Sequence, residues 1–230
     1  MDSFDSNGVE CPLCESKFSS FLPFGLDKRP NAQCSYCLSL ERTRLYWLYL
    51  KSVPFFFTSK IRLLHVAPQK TLFKRFRQVS SFEYYPVDKF AEGYSYAEGT
   101  LEMDITDIKY PNDMFDFILC SHVLEHVHDD KAAMKELYRV LKPGGFGIIQ
   151  VPIDKSRAVT LEDDKSITDP LEREKVFGQA DHVRVYGLDY KDKLSSVGFK
   201  VDVNQFLSTF SEKERLRYGI KDRNLYIVHK

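Results

Sequence analysis

The segment from Phe115 to Pro152, FDFILCSHVLEHVHDDKAAMKELYRVLKPGGFGIIQVP, limits the possible fold most tightly. Phe115 to Cys120 is a short apolar run, the pattern of a strand buried on both faces of a parallel sheet. A polar turn follows. Ala132, Leu137, Val140 and Leu141 then recur at helical spacing, with Lys131, Lys135, Glu136 and Arg139 between them. Lys142-Pro143-Gly144-Gly145 is expected to end that helix, since proline cannot continue it and glycine accepts the turn. Gly147 to Val151 reads as the next buried strand. The segment is therefore one β-α-β unit.

The rest of the chain extends the alternation. Strands are expected at Ile61–Val66, Phe82–Val87, Leu101–Ile105, Phe199–Val203 and Leu225–His229. Helices are expected over 38–51, Thr71–Val79 and Tyr190–Val197, with 170–177 able to form another. Strands alternating with helices imply a parallel sheet covered on both faces. Ligands of such sheets bind outside the carboxyl ends of the strands, so functional residues should follow strands directly.

Two phrases carry a resemblance. A strand ending in a polar residue before "VLEH", and "LKPGG" before the next strand, are similar to the second half of class I S-adenosylmethionine-dependent methyltransferases. A subgroup of that family has an "LHVAPE"-like turn, which LHVAPQ resembles, and the likeness runs over nearly the whole chain. It implies a Rossmann-like α/β fold with a seven-stranded sheet, and S-adenosylmethionine as cofactor. In the first post-strand turn His65 stands at the family's acidic position, with Ala67 and Gln69 at its glycines. Alanine is tolerated there where φ is negative. Asp88 ends the second strand about twenty residues later, where an acidic residue reaches ribose hydroxyls. By position Asp104 inherits the bond to the adenine amino group and Ile105 the amide against the ring. Ser121 and His122 fall where relatives contact the methionine part and the substrate. Cys120 beside them reads as a small buried hydrophobe.

His122, Glu125 and His126 also spell H-x-x-E-H, found in one class of zinc metallopeptidases. Here the motif lies at a strand-to-helix turn leading to LKPGG. Glu125 and His126 are therefore read as orienting the turn, and Asp129 and Asp130 as opening the helix against its dipole.

Cys11 and Cys14 form one C-x2-C knuckle and Cys34 and Cys37 another, with nineteen residues between. This is the spacing of a closed four-cysteine structural zinc site. Disulfides would suit a secreted chain, and the acidic, polar MDSFDSNGVE is not a signal peptide. The expected organisation is a zinc-binding module with connecting helix at 1–52, then a methyltransferase domain at 53–230. A lid insertion at 153–188 interrupts the latter.

In that lid Asp181, His182, Arg184 and Tyr186 are the candidate catalytic residues. Alternate residues of an extended segment share a face, so 182, 184 and 186 could present a base, a fixed cation and an aromatic wall to an acceptor. The 230 residues carry 33 basic and 33 acidic side chains, a formal charge of zero that argues against nonspecific nucleic-acid binding. No stretch reads as a membrane span. The expected protein is cytoplasmic and methylates a small-molecule or sugar-like acceptor. The alternatives are a ribosomal RNA methyltransferase with an N-terminal zinc knuckle, or a non-catalytic zinc-anchored binding module.

Overall fold

The computed structural model describes residues 8–25, 28–221 and 224–230. Seven strands form one sheet: β1 (Ile61–Val66), β2 (Phe82–Asp88), β3 (Leu101–Glu102), β4 (Phe115–Ser121), β5 (Leu141–Gln150), β6 (Lys200–Asn204) and β7 (Leu225–His229). Their order is β6-β7-β5-β4-β1-β2-β3. The pairs β1–β4, β4–β5 and β2–β3 are parallel, and β7 runs antiparallel to β5. The order reverses between β1 and β4, which marks where a ligand crevice opens beyond the strand ends. The helices are α1 (Glu41–Ser52), α2 (Lys70–Phe76), α3 (Asp130–Val140), α4 (Pro170–Phe177), α5 (Tyr190–Ser195) and α6 (Glu212–Tyr218).

Buried Leu64, Val66, Ile118, Cys120, Ile149 and Val228 come from the central strands, and Ala133, Met134, Leu137 and Val140 from one stripe of α3. Leu137 and Val140 lie on the face expected from the spacing, whereas Ala132 is only half-buried, Ala133 and Met134 take its place, and Leu141 belongs to β5. Asp129 caps α3, its carboxylate accepting from the Ala132 amide at 2.8 Å. The LKPGG segment differs from the expected turn. Helix α3 ends at Val140, and strand β5 begins at once. The register then jumps from Phe115↔Leu141 to Phe117↔Phe146, so Asp116 faces a bulge of four residues. Gly144 turns there at φ +79°, and the Lys142 ammonium ties the bulge to Asp116 at 2.6 Å.

The chain forms two compact units, and neither is continuous. One comprises the chain up to Lys60, Gln69–Phe82 and Asn204–Leu225; the other Ile61–Pro68, Glu83–Val203 and Tyr226–Lys230. The cysteines thus share a unit with segments far along the chain, rather than a separate stretch ending at residue 52. In that unit the Arg44 guanidinium is fully buried and donates to four carbonyls: Tyr218 (2.8 Å), Ser39 (2.7 Å), Ala32 (3.1 Å) and Gly219 (2.6 Å). It lies 4.0 Å from the Phe21 ring centroid. Trp47, Phe56, Phe57, Phe76 and Phe82 form an aromatic cluster in the same unit, with Trp47 and Phe57 centroids 4.9 Å apart. Helix α6 was not anticipated from sequence, although Ser211 and Glu214 form a full capping box at its start. Among the described residues no helix is long and apolar enough to cross a membrane.

Candidate active site

A cavity of about 660 Å³ opens beyond the carboxyl ends of β1, β2 and β4. Its size suits a cofactor-sized ligand. Of the eight residues expected to bind the cofactor, Ala67, Asp88, Asp104, Ile105 and His122 line it. His65, Gln69 and Ser121 are not among the lining residues. His65 is fully buried, with Nδ1 2.8 Å from the Tyr84 hydroxyl. Position along the strand explains the difference: His65 still lies within β1, whereas Val66 at its end and Ala67 just beyond it meet the cavity. Gln69 stands at the N-terminal boundary of α2, and Ser121 is buried at the end of β4.

Ala67 departs from the expectation of a negative φ. It sits at +46°, with its amide donating to the Val87 carbonyl at 2.9 Å. His122 is also left-handed, at φ +58°. Both strand-to-turn junctions on the cavity wall thus hold non-glycine residues in a conformation that costs energy, a pattern that accompanies functional sites.

Asp88 is half-buried on the wall. Burial raises its carboxyl above the usual range, and the Lys89 backbone amide lowers it. Asp104 is held down to about 2, first by the Lys89 ammonium at 2.8 Å, then by the Thr106 amide at 2.9 Å. The Thr106 hydroxyl donates to the same carboxylate. Both Asp104 oxygens therefore already carry partners, whereas Asp88 is the more available acceptor. The lining residues that sequence reasoning missed include Lys89, Tyr94, Tyr96, His126 and His128. Three of them lie in the loop after β2, where Tyr96 stacks on Phe90 at 4.3 Å. The aromatics of that glycine-bearing loop were the available signal.

The four lid candidates separate. Asp181 lines the cavity and meets His126 Nδ1 at 3.1 Å. His182 is buried, and its Nδ1 donates to the Phe177 carbonyl at 2.9 Å. Arg184 and Tyr186 share a face, as expected, but that face turns inward. The Tyr186 hydroxyl donates to Asp130 at 2.7 Å, and Arg184 lies 3.5 Å from the same carboxylate. Arg184 also donates to the carbonyls of Leu124 (2.7 Å), Val127 and His128 (2.9 Å). Neither residue is among the lining residues. They brace the turn carrying His126 and His128 instead of facing the cavity, because a buried guanidinium must satisfy its donors on nearby carbonyls.

In the other unit the four cysteines are free thiols. Cys11 and Cys37 sulfurs lie 3.6 Å apart, and Cys14 and Cys34 sulfurs 3.7 Å. All four fall within 4.8 Å of one another. A tetrahedron with Zn–S bonds of about 2.3 Å has edges near 3.8 Å, a spacing that these two sulfur pairs already have, so the donor set suits Zn²⁺. The crowding divides the thiols: the hydrogen bond from Cys37 draws Cys11 down to about 4, while Cys37 is raised. Cys120 is separate and fully buried, and burial pushes its thiol up, as a packing residue requires.

Residues 66–149 match the "Methyltransferase domain" family. The chain is 34% identical over 73 residues to the ubiquinone/menaquinone biosynthesis C-methyltransferase UbiE of Vibrio campbellii, covering 32% of this chain and 24% of that protein. It thus spans about a quarter of the length of the curated relatives it matches. The solved [4+2]-cyclase SpnF superposes with a TM-score of 0.54 at 15% identity, over 84% of this chain and 83% of that one. An S-adenosylmethionine-dependent methyltransferase from Mesorhizobium loti gives 0.50 at 16%, over 80% and 97%. Strand order and crevice define a Rossmann-like methyltransferase fold. Residues 66–149 thus carry a methyltransferase domain, within a fold similar to that of S-adenosylmethionine-dependent methyltransferases.

The residues present fit that cofactor. Asp88 offers a half-buried carboxylate at the end of β2, and Ile105 and Met103 supply apolar wall beside it.

Proposed function

We propose that this protein transfers a methyl group from S-adenosylmethionine to a small-molecule or sugar-like acceptor in the cytoplasm, with Zn²⁺ held structurally by Cys11, Cys14, Cys34 and Cys37. The observation that carries the reading is the cavity at the reversal of strand order, with Asp88 on its wall. When bound, the cofactor would supply an electrophilic methyl carbon on a sulfonium, which an acceptor lone pair would attack while the S–C electron pair leaves with sulfur as S-adenosylhomocysteine. Asp88 accepts from the ribose hydroxyls, as a carboxylate can from two donors at once. Ile105 presents its amide and side chain to the adenine. His122, His126, His128 and Asp181 form the polar part of the wall and receive the acceptor. Positioning supplies much of the rate of such an in-line displacement. Asp181 is the lid candidate that retains direct access to the acceptor; His182, Arg184 and Tyr186 act by holding the turn.

The test is calorimetry with S-adenosylhomocysteine, followed by a screen of hydroxylated and quinol-like acceptors for methyl incorporation. Asp88→Ala should lower cofactor affinity by about 1.5–3 kcal/mol, the scale of a lost charge-assisted hydrogen bond. Folded wild-type protein that fails to bind S-adenosylhomocysteine would overturn the reading.

A further inference from the structure

We propose that Glu125, His126 and His182 form a second metal centre, for one divalent first-row transition ion, at the edge of the cavity. Donor atoms from all three lie within 4.8 Å of one another. The two histidine rings meet edge to face, with centroids 4.7 Å apart. Two imidazoles and one carboxylate are a donor set suited to Zn²⁺, Fe²⁺ or Mn²⁺.

Three further observations point to an ion. Glu125 is 2% exposed, one of its carboxylate oxygens faces His122 Nδ1 at 3.1 Å, and the other has no hydrogen-bond partner. A buried, unpartnered carboxylate oxygen is costly unless a cation or water meets it. His182 Nδ1 faces the Phe177 carbonyl, which can only accept, so Nδ1 carries the hydrogen and Nε2 keeps its lone pair. His126 Nδ1 faces the Asp181 carboxylate at 3.1 Å, which fixes the same tautomer. Metal-binding histidines are oriented in this way, one nitrogen donating to a carbonyl or carboxylate and the other ligating.

The H-x-x-E-H phrase supplies Glu125 and His126, and the lid supplies His182 from 56 positions further along. Three protein ligands leave coordination positions open. Since His126 and Asp181 line the cavity, those positions are accessible from it. An acceptor with two adjacent oxygens, a vicinal diol or a hydroxy-ketone, could complete the shell. That acceptor role rests on the methyl-transfer reading; the metal site stands on the side-chain geometry alone.

The test uses the zinc-loaded 230-residue chain titrated with Co²⁺. Nitrogen- and oxygen-bound cobalt gives weak visible bands, whereas thiolate-bound cobalt gives intense charge-transfer absorption, so uptake at the cysteines is distinguished. We expect one cobalt per chain beyond the cysteine-bound metal, without thiolate absorption. Glu125→Gln and His182→Ala should abolish this uptake. Asp181→Ala, which removes the partner of His126, should weaken it roughly 10–100-fold. Binding of S-adenosylhomocysteine is measured in parallel as proof of folding. Wild-type protein that binds S-adenosylhomocysteine but takes up no such cobalt overturns the metal site and leaves the methyl-transfer reading standing. Cobalt uptake without S-adenosylhomocysteine binding does the reverse. Folded Glu125→Gln and His182→Ala variants that retain cobalt would also overturn the site.

Discussion

Replacing Arg44 should be among the most destabilising single changes in the chain. Arg44→Met keeps most of the side-chain length but removes every donor. The carbonyls of Ala32, Ser39, Tyr218 and Gly219 then lose their partner in a site where Arg44 itself has no exposed surface. Each lost bond from a charged donor costs about 1.5–3 kcal/mol, and the gain from no longer burying a cation offsets several kcal/mol of the sum. The net expectation is a loss of about 3–5 kcal/mol, a large share of the total stability of an ordinary domain. At roughly 2–4 °C per kcal/mol for a chain of this size, the melting temperature should fall by about 6–20 °C. Trp47 is the single tryptophan and lies in the same unit, so its fluorescence during urea unfolding reports directly on the lesion. Arg44→Lys should recover less than half the loss, because an ammonium cannot fork between carbonyls on several sides. A loss below about 1 kcal/mol for Arg44→Met would show that the four bonds do not hold the unit together.

Ala67→Gly should stabilise the protein by about 0.5–1 kcal/mol, since the left-handed penalty of about 1–2 kcal/mol exceeds the added entropy cost of glycine; a fall in the urea midpoint would contradict the strain at φ +46°. Asp104 has its pKa depressed to about 2, so its pairing stabilises the fold above pH 4 and is lost as pH falls through 2. The pair with Lys89 is largely exposed, so the stability gap between wild type and Asp104→Asn should stay below about 1 kcal/mol at neutral pH and close on acidification. A gap that widens in acid would rule out this sign. Cys14→Ser should reduce metal content at the cysteine site from about one zinc per chain to near zero, with Trp47 fluorescence shifting toward that of the unfolded chain; elemental analysis showing undiminished zinc would argue against the four-thiolate site.

What could be read from sequence was local or strictly periodic. Strand β1 and the burial of Leu137 and Val140 in α3 follow from apolar spacing, and Asp88 from its distance beyond the first turn. What escaped depends on which way a repeating pattern faces. Alternation correctly gave Arg184 and Tyr186 a common face, yet only packing against Asp130 and the 124–128 carbonyls decided that it turns inward. His65 stays off the cavity wall because it lies within β1, short of the strand end where Val66 and Ala67 meet the cavity. The φ of Ala67 is set by the bond to Val87 across the sheet, which its own neighbours do not encode. The approach of His182 to Glu125 and His126 arises from the return of the lid, so no fixed spacing announces it.

The polypeptide passes from one compact unit to the other five times, at residues 60/61, 68/69, 82/83, 203/204 and 225/226. No single recombination breakpoint can therefore exchange the cysteine-bearing unit for another, as can be done with a zinc finger on a flexible tether. A gene fragment ending at residue 60 would encode Ala32 and Ser39 without Tyr218 and Gly219, leaving the Arg44 guanidinium with half its acceptors. Inheritance of the cysteines and of the cavity is thus linked by the path of the chain, and deletions tolerated at the boundary of an ordinary appended module would here remove part of both units.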